Sequence, residues 1–173
     1  MLAMKLIRLI EEHSEELASG LARKLQLEER TADFRKIPAQ ELKLAAAEVY
    51  RNLGEWLLRR TEADIEKRFR TIGARRAVEG VRLHQLTWAL IVSRYHLEHF
   101  LQARAFADDI VALYGEMELW QILNQFFDRA LYYAVLGFEE TREQSDTDRT
   151  LKTVRTGTKN WRHRVLVRAE NEK

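Results

Sequence analysis

His96 and His99, in the run Tyr95-His96-Leu97-Glu98-His99, are the side chains of this sequence best suited to coordination chemistry. Three positions apart, they share one face of a helix. Two imidazoles at that spacing could hold a transition metal, and one could ligate a haem iron in a globin-like fold. No carboxylate joins them at matching helical spacing, so ordinary hydrogen bonding or a pH-sensitive contact competes with ligation. His13 falls on an apolar stripe and reads as a hydrogen-bonded core residue. The rest of the chain is poor in reactive patterns. It has no glycine-rich phosphate loop, no nucleophile elbow and no helical His-Glu-x-x-His. Asp108 and Asp109 are adjacent, so they do not face one site together. With no cysteine, thiol catalysis, disulfides and thiolate metal sites are excluded. We therefore expect a protein that is not an enzyme and needs no cofactor, with haem as the one ligand of that kind the histidines admit.

A second constellation is charged. Arg75 and Arg76 stand just before a helix stop at Gly80, within reach of Glu79 at helical spacing. A guanidinium is always charged and forks well onto carboxylate, so Arg75, Arg76 and Glu79 could latch the helix before Gly80 to the one after it. The bland alternative is that this corner only sets geometry, with Gly73 allowing close helix packing and Gly80 ending the helix.

A third constellation is aromatic. Tyr114, Trp120, Phe126, Phe127, Tyr132, Tyr133 and Phe138 crowd the last long apolar segment, and Ala130–Phe138 is apolar nearly all round. A terminal helix in a small bundle should keep one wet face. One without such a face must cover its second side, by a homodimer interface, by a pocket for a small apolar ligand, or by serving as the central core helix. We expect the dimer, with Tyr114, Trp120, Phe126, Phe127, Tyr133 and Phe138 at its interface.

The elements that must position these groups are helical throughout. Seven Gly and one Pro are few in 173 residues, and helix formers dominate the 46% apolar content. Leu6, Leu9, Ile10, His13, Leu17, Leu21 and Leu25 follow a 3.6-residue period, which predicts one helix over about 2–26. Residues 28–37 read as a polar connection, and Pro38 opens a helix running to about Arg60. Thr61 and Asp64 have the spacing of a capping box for the helix that ends at Gly80. A central apolar helix over about 83–104 follows. After a break at 103–109, a long helix reaches about Glu143, with an interruption near Gly115. The fold class is thus all-α: one bundle of five to six helices with a long C-terminal helix, residues 1–144 forming the domain.

Residues 145–173 differ from the body. They hold eight Lys/Arg against four Asp/Glu, whereas the preceding 144 residues hold 21 against 23, so the net charge of +2 belongs to the tail. Arg149, Lys152, Arg155, Lys159, Arg162, Arg164 and Arg168, with Trp161 for stacking, could meet a phosphate backbone. Their wide spacing favours a flexible, solvated tail, and nucleic acid is not the expected partner. The longest uncharged runs, 83–93 and 130–138, fall far short of the roughly 20 residues that span a bilayer. With no secretory leader at the start, we expect a soluble, cytoplasmic protein.

Four segments carry a family resemblance: IRLIEEHSEELASGLARKL, IPAQEL, YRNLGEWLLRR and, above all, FRTIGARRAVEGVRLHQL over 69–86. From Leu6 to about Gln102 the chain resembles the N-terminal domain of RsbT co-antagonist proteins, the RsbRD-type input domain of bacterial stress and signal transduction. The resemblance implies a helical, sometimes globin-like, sensor or input domain, usually placed ahead of a STAS, histidine kinase or transcriptional output module. About 70 residues follow the matched span, too few for such a module, so action in trans on a partner signalling protein, or simple dimerisation, is expected. The family's ligands are mostly undefined, and no binding residue carries over.

Overall fold

A computed structural model describes residues 2–104 and 110–170, with side chains placed for 4–103 and 117–150. The described residues form seven α-helices and one 3₁₀ segment, with no strand. The helices are α1 (Leu2–Glu12), α2 (Ser14–Leu27), α3 (Ala39–Arg51), α4 (Leu53–Leu58), α5 (Glu62–Val78), α6 (Leu83–Arg104) and α7 (Ile110–Glu170). The 3₁₀ segment, Glu29–Lys36, lies between α2 and α3.

The expected five or six helices become more because two of them bend. At His13 the backbone leaves helical geometry (φ −102°, ψ 17°). Its ring Nδ1 sits 2.9 Å from the Leu9 carbonyl oxygen, a bond that a carbonyl can only accept, so Nδ1 carries the proton. The ring thereby competes with the backbone for the oxygen that the helix would use. At Asn52 (φ −113°, ψ 26°) α3 gives way to α4. The Asn52 side chain donates to Glu48 O at 2.9 Å, and the freed amide of Gly54 donates to the Glu11 carboxylate on α1 at 2.8 Å. A carboxylate at a helix N-terminus satisfies an orphan N–H and complements the helix dipole.

The α5 boundaries follow local rules. Asp64 N donates to Thr61 Oγ1 at 3.3 Å while Asp64 Oδ2 accepts from Thr61 N at 2.9 Å, the reciprocal box the spacing predicts. At the other end Gly80 takes φ +75°. Gly80 N donates to Ala77 O (3.2 Å) and Val81 N to Arg76 O (3.1 Å), the paired bonds of a Schellman stop, and Val81 is buried just beyond.

The most extensive packing is α5 against α7. It depends on Gly73 and Gly137. A Cβ on Gly73 would overlap the Ala134 carbonyl oxygen and lie 2.9 Å from Phe138 N; one on Gly137 would lie 2.6 Å from Arg70 Cα. With Ala130 and Ala134 fully buried beside them, the two backbones touch. Polar pairs flank the crossing: Glu62 takes Arg129 Nη1 at 2.9 Å and the Tyr133 hydroxyl at 2.8 Å, and Arg70 pairs with Glu140. One turn before Arg129 on α7, Phe126 is the hub, with ring centroids 5.7 Å from Phe69, 6.5 Å from Trp56 and 5.5 Å from Phe127.

The backbone of α7 is helical through Gly115, without the expected interruption, and continues past residue 144 to Glu170. Residues 142–150 are exposed. Among the described residues, no helix is long and apolar enough to cross a membrane.

Candidate functional site

The sites expected from sequence are brought together only in part. Arg76 is buried, with its side chain 6% exposed, whereas Arg75 is open. Both bind Glu79, which caps α5, and both reach Glu41 in the first turn of α3: Arg75 Nη2 at 2.9 Å and Arg76 Nη1 at 3.4 Å. The cross-helix partner is therefore α3, and the expected latch between α5 and α6 is corrected. The reason is the Schellman turn, which carries the chain away before α6 begins, while Glu41 in the first turn of α3 comes within reach of both guanidinium groups. The Arg76 guanidinium also sits 5.9 Å from the Phe34 ring centroid.

What ties the start of α6 is Asp33, from the 3₁₀ segment, which sequence reasoning passed over. Its Oδ2 accepts from Arg82 N (3.2 Å) and Arg82 Nε (2.8 Å), while its own backbone N–H donates to Gln85 Oε1 at 2.7 Å. This is the logic of a capping box built from two distant segments. Hydrogen bonds from Arg82, aided by Lys36, pull the Asp33 carboxyl from 3.8 to about 2. No local signal marks it, because the partners lie 49 and 52 residues away.

His96 closes a third tie. Its Nε2 lies 3.0 Å from the Leu17 carbonyl oxygen on α2, and Gly20 leaves room for the ring, since a Cβ there would stand 3.0 Å from His96 Cε1. Half-burial disfavours the imidazolium and lowers its pKa. His99 is exposed on α6. No cluster of three potential metal ligands occurs among the described residues.

The aromatic helix is consumed within the chain. Phe126, Phe127 and Phe138 are buried in the core, Tyr133 is bound to Glu62, and Trp120 packs partly against the core. The argument that α7 needs a second copy to cover Phe126, Phe127 and Phe138 therefore fails: they are buried within the chain itself, Phe126 against Phe69 of α5 and Trp56 of α4. Tyr132 and Met117 stay exposed on α7. The side chain of Tyr114 lies outside the described residues, as do Lys152, Arg155, Lys159, Trp161, Arg162, Arg164 and Arg168. Arg149 is exposed, 3.9 Å from Asp146.

The three ties surround a cavity of about 120 Å³. It is bounded by α2 (Leu21, Leu25), α3 (Leu42, Val49, Tyr50), α5 (Phe69, Ile72, Arg76), α6 (Leu86, Ala89, Ser93) and α7 (Phe126, Phe127). Neither His96 nor His99 lines it. Its walls are apolar apart from three groups. Ser93 donates its hydroxyl to Ala89 O at 2.7 Å, and Arg76 is held by Glu41 and Glu79. The third, on Tyr50, is a hydroxyl buried without accessible surface and with no hydrogen-bond partner among the described residues. Burial drives its pKa well above the usual phenol value. An unsatisfied buried hydroxyl costs on the order of 1–3 kcal/mol, so it marks a place where the fold is not optimised for itself. In sequence Tyr50 is one more residue of an amphipathic helix, and nothing local flags it.

Compared with known proteins, the chain matches no family model, no curated protein and no solved structure.

Proposed function

We propose that this chain is a non-enzymatic regulatory input module, a globin-like helical bundle that takes up a small apolar molecule and acts through a partner protein. The cavity carries this reading. Five helices converge on it, so occupancy bears on the packing of most of the bundle at once. An apolar engineered cavity of about 150 Å³ stays dry and binds benzene, which sets the scale of ligand this one suits. The resemblance of residues 69–86 to the input domain of RsbT co-antagonists supports the regulatory role, and supports a place in bacterial stress or signal transduction.

The test is thermal unfolding with benzene. Binding to the folded state raises the melting temperature with ligand concentration. Ala46→Leu, which narrows the cavity from α3, should abolish the rise while the variant stays folded. No rise in the unmodified protein sinks the ligand-binding role.

A second copy is the partner we favour, meeting α7 along its exposed Met117 and Tyr132 and half-buried Trp120. Light scattering on the unmodified protein and on Trp120→Glu checks this: a dimer that becomes a folded monomer supports it, and an unmodified monomer overturns it.

A further inference from the structure

We infer that small apolar ligands enter and leave this cavity through the seam between α3 and α5, a portal framed by two Arg–Glu ion pairs. The inference rests on the ligand-binding reading and adds the route by which the site is filled.

Helix packing closes the ring around the cavity everywhere but there. Helix α2 packs on α3 and α6, and α7 packs on α5 and α6, whereas no comparable packing joins α3 to α5. Side chains bridge that gap instead. Glu41 in the first turn of α3 reaches Arg75 near the end of α5 at 2.9 Å. Glu48, seven positions further along α3, pairs with Arg68, seven positions back along α5. The two helices therefore run antiparallel, with clasps two turns, about 10 Å, apart. Midway between the clasps stand Ala45 on α3 and Ile72 on α5. Both line the cavity and both stay partly exposed, as do Ala46 and Val49 beside them. The cavity residues of α2 and α7, by contrast, are all buried. Leu90 and Ser93 of α6 keep some exposure too, but α6 packs on α2 and on α7. The clasps are themselves half in water: at the second, the Glu48 side chain is 50% exposed and that of Arg68 28%. Such pairs are screened by salt and hold weakly. Releasing them disturbs no helix packing, whereas every other seam of the ring must part close-packed helices.

The chain has no cysteine, so Glu48→Cys combined with Arg68→Cys puts the only two thiols on opposite sides of the portal. A short bismaleimide links them, and the same variant carrying two monofunctional maleimides is the unlinked control. Exchange of fluorobenzene, followed by fluorine NMR, gives the association and dissociation rates. A barrier on the route changes rates and leaves the bound state alone. We therefore expect the link to slow both rates by about tenfold or more, with Kd within about twofold of the control. Glu48→Gln, which removes the charge from one clasp, should speed both rates by about twofold to fivefold at the same Kd. The swapped pair, Glu48→Arg with Arg68→Glu, should bring them back. Equal rates in the linked and control forms overturn the portal and leave the ligand site intact, and so does a link that changes Kd while dissociation stays the same. Failure of fluorobenzene to bind the unmodified protein overturns the ligand site itself, and the portal with it.

Discussion

The crossing of α5 and α7 and the cavity beside it show two ways of holding helices together. At the crossing, Gly73 and Gly137 remove side chains altogether, and backbone meets backbone. Around the cavity, side chains stop short of filling the space, and the helices are tied at its margins by Asp33 to Arg82 and Gln85, by Arg76 to Glu41, and by His96 to Leu17. Dispersion contacts at close range are stiff, because any added atom overlaps something. Polar ties around a void are individually replaceable, and the space between them can be filled. The bundle thus has a rigid side and an adaptable side, and Phe126, which belongs to both, joins them.

Breaking the rigid side should have the largest effect. Gly73→Ala places a methyl on the Ala134 carbonyl, which only a backbone shift can relieve, and we expect a loss of about 3 kcal/mol in urea unfolding. A loss below about 1 kcal/mol would mean that the crossing yields as easily as the cavity wall. Asp33→Ala comes next. It leaves Arg82 N and the first turn of α6 without their acceptor, at a cost of about 2 kcal/mol. Because the folded carboxyl titrates near 2 and its ordinary value is 3.8, its contribution is fully present above 3.8 and disappears as pH falls from there to about 2. Acid unfolding of the unmodified protein should steepen in that window, and Asp33→Ala should flatten it.

The smallest effect concerns His96. Burial depresses its pKa below 6.5, so the unfolded chain binds the proton more readily than the folded one. Stability should be level above 6.5 and decline as pH drops below it. His96→Gln, which keeps a donor for Leu17 O, should remove the decline at a cost of about 1 kcal/mol or less. An unchanged pH profile in that variant would show that the α2–α6 tie contributes nothing to the adaptable side.

What could be read from the sequence was what neighbouring residues decide. The Thr61–Asp64 box and the Gly80 stop need partners no more than four or five positions away, and Gly73 announces close packing by its lack of a side chain. The bends at His13 and Asn52 were hidden because they depend on which way one side chain turns, with Glu11 waiting 43 residues from Gly54 to receive an amide. The aromatic segment was visible, but its destination was not: all-round apolarity on α7 looks the same whether the cover comes from a second copy or from other helices of the same chain. The pair of arginines was visible too, and its partner on α3 was not. The cavity left no trace, since a void is made by what five separate helices fail to fill.

Helix α7 spans 61 residues, about 90 Å at 1.5 Å per residue. Its tight contact with α5 lies near Gly137, roughly 15 Å along the axis from the cavity residues Phe126 and Phe127 and about 50 Å from Glu170. A helix is stiff along its hydrogen-bonded axis, so a tilt of the part that lines the cavity is carried to residues far beyond the bundle.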